Sequence, residues 1–214
     1  MSLLHSTSII NHNNLIFVTQ YRKIAPEAIC EKLPAGSIVI FRDYDDPKRT
    51  ESAVNLHKLC KSHNLFLLIG KSPELAQKIG ADGVHFPEFM TAQISKWKKL
   101  KPHWLFSSSC HSETAIIKSL SHGADILLFS PIFATSSHPD AEPQNIIRSN
   151  RILRNIAQKT EIKQKIYALG GIDAKNLKFL KNTLFSGVAI SSGLLNCCHN
   201  ATDLQQTLRD LKKK

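Results

Sequence analysis

The chain has 214 residues, enough for one domain with a substantial core, and 42% of them are hydrophobic, as in an ordinary globular protein. The formal net charge is +11, but the lysines and arginines are scattered apart from Lys98-Lys99-Leu100-Lys101 and the Lys212-Lys213-Lys214 tail. With no nucleic-acid-binding signature beside them, they read as solvated helix faces rather than a nucleic-acid surface. No apolar stretch approaches the roughly 20 residues that cross a bilayer, and five cysteines without CxxC spacing read as reduced thiols of a cytoplasmic protein.

The first 14 residues mix His, Ser and Asn with a few aliphatics and form a ragged lead-in to a single domain spanning residues 1–214. Short apolar runs then alternate with stretches of helical period. The pattern predicts strands at residues 15–19, 37–41, 65–69, 83–86, 104–108, 126–129, 165–169 and 187–190. Helices are predicted over 26–33, 51–63, 73–79, 91–100, 113–123, 144–158, 174–181 and 201–212. Ser72, Ser112 and Asp173 stand as helix caps, and Pro73 fits the first helical position. Eight strands joined by helical crossovers predict an α/β fold, a (β/α)8 TIM barrel. An open doubly wound sheet is the alternative, disfavoured because no Gly-x-Gly-x-x-Gly turn follows the first strand.

One unit recurs. Gly80-Ala81-Asp82 precedes the fourth strand, Gly123-Ala124-Asp125 precedes the sixth, and the two lie 43 residues apart; Phe185-Ser186-Gly187 opens the eighth strand in the same manner. In such barrels the chemistry sits at the carboxyl ends of the strands. The polar tips there are Arg42 and Asp43, Gly70 and Lys71, His85 and Glu88, Ser109 to His111, Thr135 to His138, Gly170-Gly171 and Ser191-Ser192-Gly193. Gly170-Gly171 permits close backbone approach, and Ser191-Ser192 offers hydroxyls and N–H groups, so the last two tips predict an anion site of the phosphate type. His111 is the candidate acid–base group, since imidazole exchanges protons near neutral pH. Cys110 lacks a base and orienter for nucleophilic work. Asp43, Asp45 and Asp46 read as a solvated acidic loop rather than a metal site, and no residue is assigned to a metal.

These tips carry a resemblance. Ile79 to His85, Ser109-Cys110-His111-Ser112, Gly123 to Thr135 with Asp140-Ala141, Ala168 to Ile172 and Gly187 to Ser192 occur in the order of the thiamine-phosphate synthase and thiazole tautomerase (TenI-like) family. The resemblance spans about residues 15–195 and implies a (β/α)8 barrel that binds a thiazole phosphate. It implies phosphate contacts at Gly170, Gly171, Ser191, Ser192, Thr135 and Ser137, and further substrate contacts at Arg42, Lys71, His85, Ser109 and His138. It also places His111 at the position of the tautomerase's acid–base histidine.

Departures from the synthase pattern fall on one side. Arg42-Asp43-Tyr44 replaces Arg-x-Lys, Gly70-Lys71 replaces Asn-Asp, Pro87-Glu88-Phe89-Met90 replaces Gly-Gln-x-Asp, and Ser137-His138 replaces Thr-Lys. Carboxylates and cations for a departing diphosphate are thereby lost. The expectation is a TenI-like barrel that binds thiazole phosphate and isomerises it through His111, with no cofactor. The alternatives are a synthase with a remodelled diphosphate site, which would use Mg²⁺, and a non-catalytic phosphate-binding relative. The partner is a small phosphorylated thiazole, with neither nucleic acid nor membrane, and a homo-oligomer is possible.

Overall fold

The structure is a computed structural model and describes residues 15–20, 26–135 and 142–191. The lead-in, the final predicted helix, and the site candidates Ser137, His138 and Ser192 lie outside the described residues.

Eight parallel strands close in sequence order into a barrel: β1 (Leu15–Val18), β2 (Ile38–Phe41), β3 (Phe66–Gly70), β4 (Gly83–Phe86), β5 (Leu105–Cys110), β6 (Ile126–Phe129), β7 (Lys165–Leu169) and β8 (Gly187–Ile190). The described helices are α1 (Pro26–Cys30), α2 (Arg49–Ser62), α3 (Pro73–Ile79), α4 (Gln93–Leu100), α5 (Glu113–Ser121) and α6 (Ile146–Lys159). Short 3₁₀ turns occupy Glu88–Met90 and Leu177–Leu180.

Most strands read as short apolar runs because both of their faces are buried, as crossover helices require, with the serines of β5 as the main exception. Ile16, Val18, Ile38, Ile40, Leu68, Leu105, Ile126, Leu128, Tyr167 and Ala189 fill the barrel interior as one cluster. Their alternates, such as Phe17, Val39, Phe41, Leu67, Phe106, Leu127 and Phe129, meet the helices in a second. The helix starts follow their sequence signals. Ser72 Oγ accepts from Leu75 N–H at 3.2 Å and Ser112 Oγ from Ala115 N–H at 3.1 Å. Asn145 caps α6 in the same way through Arg148 N–H at 2.9 Å.

The recurrent triplets serve one structural role. Gly80 and Gly123 turn the chain through left-handed backbone at φ 73° and 85°, a conformation that glycine adopts without strain. Each following aspartate then reaches back to a neighbouring strand. Asp82 Oδ2 accepts from Leu67 N–H at 2.8 Å and Oδ1 from Lys61 Nζ at 2.9 Å. Asp125 Oδ2 accepts from Phe106 N–H at 3.0 Å and Oδ1 from Lys98 Nζ at 2.6 Å. In the third unit Ser186 Oγ accepts from Ile166 N–H at 3.2 Å, and Ser186 N–H donates to Ile166 O at 2.7 Å.

Several element bounds shift by one to three residues from the sequence expectation, as at α1, which ends at Cys30, and three differences lie beside the site. Strand β5 continues to Cys110, because Ser109 and Cys110 keep pairing with Leu128 and Phe129. Helix α4 starts at Gln93, after the 3₁₀ turn, rather than at Thr91. The helix expected after Asp173 is only the turn Leu177–Leu180; Asp173 Oδ1 accepts from Lys175 and Asn176 N–H groups, both at 2.9 Å, and so caps a loop.

Removing either carboxylate strands a strand N–H, whereas removing Lys61 breaks only a solvent-facing ion pair; Lys98 also donates to the Gly123 carbonyl at 2.6 Å. Asp82→Ala and Asp125→Ala are therefore expected to cost about 1–3 kcal/mol each in urea denaturation. Lys61→Ala, at a site 56% exposed, is expected to cost less than about 1 kcal/mol.

Candidate active site

The polar strand tips surround one cavity of about 840 Å³ at the carboxyl mouth of the barrel, a size suited to a small ligand. Every described residue expected at the site lines it: Arg42, Lys71, His85, Ser109, His111, Thr135, Gly170, Gly171 and Ser191. Residues whose part the sequence did not single out also reach it, notably Tyr44, Phe89 and Ser130. Arg42 and Tyr44 follow β2, and Lys71 follows β3. Ser109 is the penultimate residue of β5, Thr135 belongs to the loop after β6, and the glycines follow β7.

His111 is the first residue beyond β5. Its ring Nδ1 lies 2.9 Å from the backbone carbonyl of Ser130. A carbonyl only accepts, so Nδ1 carries the proton and Nε2 is left as the basic nitrogen. Ser130 Oγ, 3.3 Å from the same nitrogen, supports this orientation.

His85 is a different kind of histidine. It is 2% exposed, with Nδ1 2.8 Å from Ser107 Oγ and Nε2 3.1 Å from Ser109 Oγ. Burial, and secondarily the positive charge of Arg42, pushes its pKa down to about 3. It is a neutral ring that orients the Ser109 hydroxyl, one ring nitrogen donating and the other accepting.

Cys110 is fully buried, its Sγ lies 3.3 Å from Ser119 Oγ, and burial raises its pKa to about 12. It is packed as a core residue, in keeping with its exclusion as a nucleophile.

On the opposite wall, cations meet aromatic rings. Lys71 holds left-handed backbone at φ 63° and sets its Nζ 4.0 Å from the centre of the Tyr44 ring and 5.8 Å from that of Phe89. Arg49, outside the cavity lining, donates to the Gly70 carbonyl at 2.6 Å and stacks against Tyr44 from behind. Burial raises the Tyr44 phenol pKa against the opposing pull of Arg42 and Arg49. Asp43 is 5% exposed and accepts from Thr19 Oγ1 at 2.9 Å, tying the β1 and β2 tips together.

The two glycines after β7 turn through φ 99° and 64°. A Cβ on Gly170 would stand 2.9 Å from Pro131 Cα, and one on Gly171 only 2.2 Å from the Ala134 carbonyl oxygen. The close approach that they permit is thus first that of the chain's own Pro131–Ala134 segment. Ile132 N–H donates to Leu169 O and Phe133 N–H to Gly170 O, at 2.9 and 3.1 Å. The glycines line the cavity because they carry this segment, and Thr135 with it, against the β7 tip.

A closed (β/α)8 barrel with a cavity at its carboxyl mouth places its candidate site at the strand tips. The chain belongs to the thiamine monophosphate synthase family, whose family model matches residues 15–194. It is 31% identical over 193 residues, 88% of the chain, to a thiamine-phosphate synthase of Prochlorococcus marinus subsp. pastoris. It is 32% identical over 148 residues, 69% of the chain and 76% of the relative, to a putative thiamine-phosphate synthase 2 of Aquifex aeolicus. The chain spans about half of the Prochlorococcus relative, 53% of its length. Among solved structures, thiamine phosphate pyrophosphorylase from Pyrococcus furiosus matches with a TM-score of 0.74 over 96% of this chain and 100% of that one, at 19% identity, which speaks to the fold. No helix among the described residues is long and apolar enough to cross a membrane.

The buried His85 leaves a signature in stability. Its folded pKa, about 3, lies below the ordinary imidazole value of 6.5, so between those values the unfolded chain binds a proton that the folded one does not. Its contribution to stability is complete above pH 6.5 and declines as pH falls toward 3, with a slope of up to about 1.4 kcal/mol per pH unit. Denaturation of the wild type and of His85→Gln across pH 7 to 4 should show this slope in the wild type only.

Proposed function

We propose that the barrel binds a thiazole phosphate and shifts a proton on its ring through His111. The observation that carries this reading is the bond from His111 Nδ1–H to the Ser130 carbonyl, which in the neutral ring leaves Nε2 as the proton acceptor on a residue that lines the cavity. A proton accepted at Nε2 from one ring position and returned to another isomerises the ring without net transfer of charge, and needs no metal. Thr135, Ser191 and the Gly170-Gly171 backbone, with Ser137 and Ser192 from outside the described residues, are the proposed phosphate contacts. Ser109, held by His85, is a hydroxyl for the ring.

A second reading is favoured by the relatives, which are named thiamine-phosphate synthases. In it Arg42 and Lys71, with His138, neutralise the diphosphate of a pyrimidine substrate. Such a reaction implies Mg²⁺. The carboxylates near the mouth are already engaged: Asp43 by Thr19, Glu88 by the His111 N–H, and Asp173 by Lys175 and Asn176. Lys71 puts an ammonium at the β3 tip, and among the described residues no cluster of three His, Cys, Asp or Glu side chains suits a metal. These residues do not fit the ion, and no step is assigned to it.

The two readings part in one experiment. Incubation with the non-aromatic thiazole phosphate should yield the aromatic isomer, with His111→Asn slowing conversion at least about a hundredfold while thiazole phosphate still raises the Tm. Undiminished conversion by His111→Asn would remove His111 from the chemistry. Mg²⁺-dependent pyrophosphate release on adding pyrimidine diphosphate would establish the synthase instead.

A further inference from the structure

His111 is held by more than its ring. Its backbone N–H donates to Glu88 Oε2 at 2.9 Å, and its carbonyl accepts from Gln144 Nε2 at 3.0 Å. The first partner belongs to the turn after β4, and the second stands where the loop after β6 returns toward α6. With Ser130 gripping Nδ1, three separate segments converge on one residue.

Both partners are themselves moored. Gln144 N–H donates to the Pro131 carbonyl at 2.8 Å, one residue from the carbonyl that orients the ring. The arm that holds the His111 backbone and the acceptor that sets its ring are thus fastened to each other. On the other side, Thr91 Oγ1 donates to the Glu88 carbonyl at 2.8 Å and lies 2.9 Å from Ser108 Oγ, both hydroxyls being buried. This pins the turn that bears Glu88 to the back of β5. Neither Glu88 nor Gln144 lines the cavity.

We infer that Glu88 and Gln144 are positioning residues that fix the direction of His111 and, through it, which ring nitrogen is basic. The inference rests on the proton-transfer reading of His111. Holding the peptide groups on both sides restricts φ and ψ, hence the Cα–Cβ direction, and the Ser130 bond then restricts ring rotation. A displacement of about 1 Å in a reacting group costs on the order of a hundredfold in rate. Released from its clamp, the imidazole would drift to the Nε2–H form that it prefers in water and present the wrong nitrogen.

The test uses Glu88→Ala, Gln144→Ala and the conservative Glu88→Gln, whose amide oxygen still accepts from the His111 N–H. The alanine variants should lower kcat for thiazole isomerisation by about tenfold or more with KM unchanged, and Glu88→Gln should restore it. Nitrogen-15 NMR of the His111 ring supplies a readout independent of turnover: Nδ1–H in the wild type and in Glu88→Gln, with growing Nε2–H in the alanine variants. Alanine variants that melt earlier yet keep both the Nδ1–H form and kcat would overturn the inference. If the wild type does not isomerise the thiazole, the proton-transfer reading fails and the NMR comparison alone decides the clamp.

Discussion

The register of the barrel rests on a bond that the chain makes to a neighbouring strand as it enters β4, β6 and β8. After α3 and α5 the chain turns at a left-handed glycine, and the next carboxylate accepts a strand N–H, Asp82 from Leu67 and Asp125 from Phe106. Before β8 the Ser186 hydroxyl does the same for Ile166. A parallel strand slipped by one residue would turn its interior side chains outward, so the register needs a fixed point. These bonds supply it at the amino ends of β4, β6 and β8, and every tip residue is then placed by counting along its strand. The lysine on each aspartate adds charge, but the register rests on the backbone bond.

The mouth divides into walls of different chemistry. On one side Ser130, the loop after β6 and the two glycines after β7 form a backbone framework around His111. On the other, Arg42, Lys71 and Tyr44 set cations against aromatic rings. Between them lies His85, kept neutral by burial and satisfied by two serine hydroxyls, which can orient but not charge. Among the described residues, Asp43, Glu88 and Asp173 beside this mouth each accept from the protein's own donors.

Much of this was legible before folding. The strands stood out because apolar runs of four to six residues are what a doubly buried parallel strand must be, and Ser72 and Ser112 announced helix starts by their caps. Arg42, Lys71, Ser109 and His111 were found as tip residues once the strands had been numbered. Tyr44 and Phe89 stand out in the sequence only as departures from a family pattern, because nothing local says that two rings from different tips will meet one lysine. Gly170-Gly171 signalled close approach, but not that the approaching backbone would be the chain's own Pro131–Ala134 segment.

The sequence by itself determined the eight-fold alternation, the three repeated strand entries and the list of polar tips, since these follow from periodicity and from residues whose conformational preferences act within a few positions. Only the tertiary structure decided which nitrogen of His111 is basic, that His85 stays uncharged, and that Glu88 and Gln144 converge on one residue. Those outcomes come from contacts between residues 19 to 33 positions apart, where burial and hydrogen-bond geometry depend on barrel closure, not on local propensity.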